Sequence, residues 1–181
     1  MITVNEKHYP QRKSPRLSGY NYAQSGAYFI TICAVGRAHL FGKIVDDEMV
    51  WNGYGKIAQE EWERTPQIRR EIDIDLFVVM PNHFHAIVLI VGDDSDADER
   101  PTDAQPCVPA RAPRSLGSLI AGYKSVVTKR INMLRNTPGE PVWQGRYHDH
   151  IIRNEKSLNK IREYVLYNPV RWREDTFFVD G

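Results

Sequence analysis

Residues 72–90 read Ile-Asp-Ile-Asp-Leu-Phe-Val-Val-Met-Pro-Asn-His-Phe-His-Ala-Ile-Val-Leu-Ile, and the way this stretch divides decides the fold. Ile72, Ile74 and Leu76 alternate with Asp73 and Asp75, as in a half-buried strand, and the run then becomes wholly apolar up to Met80. Pro81 and Asn82 break it, and residues 83–90 resume as a second strand. Two strands separated by so short a break predict a hairpin. Within the second strand His83 and His85 are two apart, so both imidazoles share one face while Phe84 points to the other.

Working outward, residues 28–35 form a compact aromatic and β-branched run that predicts a strand ahead of Gly36. Leu40, Phe41, Ile44 and Val45, before Asp46 and Asp47, suit a short hairpin. Over 53–65, Tyr54, Ile57, Ala58, Glu61 and Trp62 recur at intervals of three and four, giving an amphipathic helix that Pro66 stops. Residues 115–134 predict the longest helix, with Leu116, Leu119, Ile120, Tyr123, Val126, Val127, Ile131 and Leu134 along one stripe. Residues 142–152 predict the last strand. Ser157 then opens a helix carrying Leu158, Ile161 and Val165, limited by Pro169. The order strand, helix, strand, strand, helix, strand, helix predicts an α+β protein on the ferredoxin-like split βαβ plan. That plan is an antiparallel four-stranded sheet with helices on one face, here followed by a C-terminal helix.

The chain has 181 residues, enough for one domain, and its 41% hydrophobic content supplies a core. We read residues 1–19 as a basic arm, 20–173 as the domain, 93–113 as an acidic, Pro-rich loop insertion and 174–181 as a short tail. Cys33 and Cys107 do not suggest a disulfide framework, and no apolar run is long enough to span a membrane, so a reducing, cytoplasmic location is expected. The formal charge of +1 conceals segregation: +3 over residues 1–24, −8 over 25–110, +9 over 111–173 and −3 over the last eight. A basic second half suits a polyanion as well as a merely solvated face. Phosphate-cradling Gly-rich loops, Cys-x-x-Cys pairs and nucleophile-elbow serines are absent, which argues against kinase, redox and acyl-transfer chemistry.

Two neutral imidazoles at 83 and 85 suit Mg²⁺, Mn²⁺ or Zn²⁺ if a third donor converges on them; the competing reading is a strand end whose histidines bond to solvent or backbone. Tyr164 and Asn168 are four apart and share a helix face. The phenol is a candidate nucleophile and the Asn carbonyl a candidate third donor, against a plain apolar seam and a helix C-cap. Tyr167 is the rival nucleophile, with Tyr28, Tyr123 and Tyr147 behind it. His148 and His150 repeat the two-residue spacing, either as a solvated edge or as groups orienting phosphate or water.

These residues, taken together, resemble the IS200/IS605-type tyrosine transposases, single-domain HUH enzymes, and in particular the branch associated with repetitive extragenic palindromes (REPs). The resemblance is carried by Gly-Tyr-Asn-Tyr and Gly-Ala-Tyr-Phe-Ile-Thr-Ile-Cys near the start, and by Val-Met-Pro-Asn-His-Phe-His-Ala-Ile-Val at 79–88. It continues through Ser-Leu-Gly-Ser-Leu-Ile-Ala-Gly-Tyr-Lys-Ser-Val-Val-Thr-Lys-Arg-Ile-Asn at 115–132, Val-Trp-Gln-Gly-Arg-Tyr-His-Asp-His-Ile-Ile-Arg at 142–153 and Tyr-Val-Leu-Tyr-Asn-Pro-Val at 164–170. The matches run in the family's order over about residues 19–172.

The resemblance implies an HUH fold that nicks single-stranded hairpin or palindromic DNA and transfers strands through a 5′-phosphotyrosine. It implies that His83, His85 and Asn168 hold Mg²⁺ or Mn²⁺ and that Tyr164 is the nucleophile. Arg12, Lys13 and Arg16 of the arm, with Lys124, Lys129, Arg130, Arg146, Arg153, Arg162, Arg171 and Arg173, become candidate contacts to the DNA backbone, joined by His148 and His150. Relatives work as monomers or homodimers. The alternative is an inactive hairpin-DNA-binding regulator that keeps the basic surface without the chemistry.

Overall fold

The computed structural model describes residues 20–91 and 113–179. The basic arm and nearly all of the acidic loop insertion lie outside the described residues. The elements in chain order are β1 (Gly26–Cys33), β2 (Gly42–Val45), β3 (Glu48–Trp51), α1 (Gly53–Glu63), α2 (Thr65–Ile68), β4 (Ile72–Val79), β5 (His83–Ile90), α3 (Leu116–Arg135), β6 (His148–Ile152) and α4 (Glu155–Leu166). Four strands form an antiparallel sheet in the order β4-β5-β1-β6, and β2 and β3 make a separate hairpin. This mixed α+β arrangement, with helices flanking an antiparallel sheet, is consistent with the split βαβ plan.

Strand alternation gives the sheet two different faces. Tyr28, Ile30 and Ile32 of β1 and Phe84, Ala86 and Val88 of β5 enter the main core, where Trp62 of α1 and Leu119, Ile120, Tyr123, Val127 and Ile131 of α3 cover them. The opposite face is smaller. There Ile87 and Ile152 meet Val165 of α4, with Phe29, Leu76, Val78, Leu158 and Ile161 around them. The final helix therefore packs across the sheet from α1 and α3, on the face that carries both histidines.

Local chemistry fixes where each helix begins. The Asn52 side chain accepts from the Tyr54 and Gly55 amides at 2.9 and 3.0 Å, a strong N-cap. A Cβ on Gly55 would collide with the Phe41 carbonyl, so only glycine lets α1 lie this close. Pro66 falls in the first turn of α2 rather than simply ending a helix. Ser115 caps α3, which ends on Asn136 in the left-handed conformation at φ 53°. The Asn154 side chain accepts from the Ser157 amide at 2.9 Å, so α4 starts one turn's reach before the expected serine.

Two strands differ from the expected ones. Ladder pairing begins only at His148; before it, residues 142–147 carry buried Val142, Trp143 and Tyr147 into the core, with a lone bridge from Ala34 to Trp143. In β4 a register shift between Ile74 and Phe77 inserts an extra residue opposite β5. This bulge changes the phase, so that Leu76 packs on the α4 side while Ile72 and Ile74 belong to the main core. No helix among the described residues is long and apolar enough to cross a membrane.

Candidate metal centre and active site

The start of β5 brings His83 and His85 into contact, their ring centroids 4.4 Å apart. Both are buried, at 0% and 1% exposure. Each is held through Nδ1: His83 by the Asn82 side-chain oxygen at 2.8 Å, and His85 by the Thr31 hydroxyl of β1 at 2.8 Å. That leaves the two Nε2 atoms for the site. His85 Nε2 lies 3.2 Å from the Tyr164 hydroxyl, whereas His83 Nε2 is buried without a hydrogen-bond partner.

Helix α4 supplies Tyr164, and the chain just beyond its end supplies Asn168. The Tyr164 ring meets His85 edge-on at 5.2 Å, and Phe29 stacks on the imidazole at 5.1 Å while meeting the Tyr164 ring edge-on at 6.0 Å. After Asn168 the chain turns through the short 3₁₀ segment Trp172–Glu174 and brings Asp175 back to the same point. Asp175 Oδ2 accepts from the Tyr164 hydroxyl at 3.0 Å and from the Asn168 amide at 2.6 Å. Phe177 then lies against His83, with ring centroids 4.8 Å apart. A phenol has one hydrogen, so Tyr164 donates to Asp175 or to His85 but not to both.

One ligand atom from each of His83, His85 and Asp175 fits within a set whose members are all within 4.8 Å of one another. Two imidazoles and a carboxylate form a mixed donor set suited to a first-row divalent cation. Two buried polar atoms without hydrogen-bond partners, His83 Nε2 and Asn168 Oδ1, point to the same need. This cluster can chelate a divalent metal.

Burial dominates the electrostatics. It pushes the His83 imidazole down to about 4 and His85 well below its ordinary value, which keeps both rings neutral at physiological pH, the form that ligates metal. Tyr164 is shifted the other way. Burial, then the Asp175 carboxylate through its charge and hydrogen bond, hold the phenol protonated well above its ordinary range. A cation at the cluster would oppose both electrostatic effects of Asp175.

The structure thus brings together four residues singled out in the sequence: His83, His85, Tyr164 and Asn168. Tyr167 is exposed, its ring beneath the Arg171 guanidinium at 5.7 Å, and has no contact with the histidines among its described interactions. Tyr28 and Tyr123 serve the opposite core. His148 and His150 share the sheet face of His85, paired with Thr31 and Phe29, and are exposed.

The basic candidates divide. Arg130 is engaged by Glu61 and Glu60 at 2.6 and 2.8 Å, and Arg162 by Asp75 at 2.7 Å. Lys124 donates to the Gln144 and Arg146 carbonyls at 2.7 and 3.0 Å, and burial lowers it to about 8. Lys129, Arg146, Arg153, Arg171 and Arg173 are exposed, and Arg12, Lys13 and Arg16 lie outside the described residues. Sequence reasoning gave no role to Asp175, Asn82, Thr31 or Phe177. The aromatic spacing of Trp172, Phe177 and Phe178 is the signal that the tail packs on the domain.

These features define a mixed α+β protein with a His-His-Asp cluster able to chelate metal. In solved structures it is similar to a REP-associated tyrosine transposase bound to a REP hairpin: 17% identity, TM-score 0.50, covering 94% of this chain and 74% of that one. That likeness is a distant one of fold. No family model matches the chain. In sequence it is 37% identical over 171 residues to an uncharacterized protein of Haemophilus influenzae (strain ATCC 51907 / DSM 11121 / KW20 / Rd), covering 93% of this chain and 94% of the relative. The chain belongs to the same family as that protein.

Proposed function

We propose that this protein is an HUH-type, single-tyrosine DNA nickase and strand transferase on a ferredoxin-like fold, acting on single-stranded DNA with a hairpin or palindrome. The observation that carries the reading is the Tyr164 hydroxyl lying 3.2 Å from His85 Nε2 and 3.0 Å from Asp175 at a buried metal-ligating cluster. Of the two histidines the phenol engages only His85, and His83 Nε2 beside it is left without a hydrogen-bond partner. This placement suits a nucleophile that meets a substrate beside a cation.

His83 and His85 would hold the cation, with the third position supplied by Asp175 or by the Asn168 carbonyl. Mg²⁺ and Mn²⁺ both fit the reading, and the two nitrogen donors favour Mn²⁺. When bound, the cation supplies charge stabilisation for the nonbridging phosphate oxygens. Tyr164 gives up its proton to Asp175, its hydrogen-bond acceptor, and its oxygen bonds to phosphorus. The bond from phosphorus to the 3′-oxygen breaks, and that oxygen leaves as a 3′-hydroxyl after taking a proton from solvent. The 5′-phosphate stays esterified to Tyr164, so another 3′-hydroxyl can attack it and release the phenol without an external energy source. Exposed Lys129, Arg146, Arg153, Arg171 and Arg173 would position the strand through its phosphates.

The test incubates the full chain with single-stranded hairpin oligonucleotides and Mn²⁺ or Mg²⁺, and seeks a covalent adduct by mass spectrometry. An adduct mapped to Tyr164 and absent in Tyr164→Phe is expected. An adduct that persists in Tyr164→Phe and maps to Tyr167 transfers the role to that residue. Hairpin binding with no adduct under any metal leaves the regulatory reading in its place.

A further inference from the structure

We infer that Asn82 is a positioning residue that presets His83 as the anchor ligand of the metal site. This rests on the histidine pair being metal ligands and is independent of any DNA chemistry. The Asn82 side-chain amide touches two groups: the Phe177 main-chain carbonyl, 2.8 Å from Nδ2, and His83 Nδ1, 2.8 Å from Oδ1. A carbonyl only accepts, so the NH₂ end must face Phe177 and the oxygen must face the imidazole.

The consequence passes to the ring. Facing an oxygen with no hydrogen of its own, His83 Nδ1 must carry the proton. An imidazole that ligates through one nitrogen is the neutral ring with a single proton, so with that proton on Nδ1 the lone pair sits on Nε2. That is the atom found buried with no hydrogen-bond partner. Asn82 itself is fully buried, and its main-chain oxygen accepts from the Ala34 amide at 2.8 Å, so the residue has little freedom to turn. The ligating tautomer and ring direction of His83 are thus imposed before any cation arrives, as outer partners commonly impose them on metal-binding imidazoles.

His85 is held by other partners. Its Nδ1 faces the Thr31 hydroxyl and its Nε2 the Tyr164 hydroxyl, each of which can donate or accept. The Ile30 main-chain carbonyl, which can only accept, also faces this ring.

The experiment uses the full-length, metal-free chain and needs no DNA. Long-range ¹H–¹⁵N NMR reads the ring tautomers, and titration with Mn²⁺ alone reads affinity. In the unaltered protein His83 is expected as the single Nδ1–H form. Asn82→Leu, which keeps the volume and removes both polar contacts, should lose that preference and weaken Mn²⁺ by about 10–100-fold. Asn82→Asp keeps the acceptor, although it adds a charge and turns an oxygen rather than a donor toward Phe177, so where it folds it should restore the Nδ1–H form and most of the affinity. A His83 that carries its proton on Nε2 in the unaltered protein overturns the inference. So does an Asn82→Leu variant with unchanged tautomer and affinity, or a folded Asn82→Asp variant that behaves like Asn82→Leu. Absence of DNA nicking in an otherwise conforming protein would count against the proposed function and leave this assignment standing.

Discussion

Phe84 points into one layer of the molecule, and His83 and His85, its neighbours in the chain, point into the other. On the Phe84 side Trp62 and Tyr123 close over the ring at 4.9 and 5.3 Å between centroids, within an apolar layer built from α1 and α3. On the histidine side Val165 of α4 meets Ile87 and Ile152 of the sheet, and the returning tail brings Asp175 to Tyr164 and Asn168 beside the buried imidazoles. The same strands thus divide their labour by residue parity. One face stabilises the sheet, and the sheet's rigidity is what holds two imidazoles at a fixed separation on the other.

That division can be broken from either side. Phe84→Ala should cost about 3–5 kcal/mol in urea unfolding, because it empties the centre of the larger core. An effect near 1 kcal/mol would show that the main core does not centre on this ring.

The histidine face should respond to pH instead. His83 has a folded value of about 4 against 6.5 unfolded, so the unfolded chain binds the extra proton first. The stability this group contributes is complete above pH 6.5 and is lost as pH falls towards 4, by about 3 kcal/mol in the metal-free protein. Melting temperatures across that window, compared with His83→Ala, check it: the variant's profile should be the flatter one. Saturating Mn²⁺ should shift the loss to lower pH, since the cation competes with the proton.

For Mn²⁺ itself, His83→Ala should cost more than the roughly 10–100-fold typical of losing an outer partner, with the main core intact. Calorimetric titration alongside Phe84→Ala sharpens the contrast, because that variant should keep its metal affinity wherever it remains folded. The smallest effect is expected at the edge of the histidine face. Arg162→Ala removes a part-exposed pair to Asp75 and should lower stability by about 1 kcal/mol or less, diminishing in high salt.

How much of this could be read in the sequence follows from the reach of periodicity. The pairing of His83 with His85 needed only the two-residue repeat of a strand, and the shared side of Tyr164 and Asn168 only the helical repeat. Asp175 lay beyond both rules, because a turn after α4 reverses the chain and no spacing encodes where a turn lands. Leu76 shows a subtler failure. Its alternation with Ile72 and Ile74 looks regular in sequence, yet a bulge at this point places it on the other face. Asn82 read as part of a turn, and its bond to a carbonyl 95 positions away was invisible.

That last span bears on how the protein is made. The contacts that complete the site join Thr31, Asn82 and the β5 histidines to residues as late as Phe177. During synthesis the hairpin emerges well before α4 and the tail, so for part of the ribosome's transit the histidine side of the sheet has no cover. A nascent chain therefore exposes a half-built surface before the residues that cover it have been made, and this is the interval in which a chaperone would matter most.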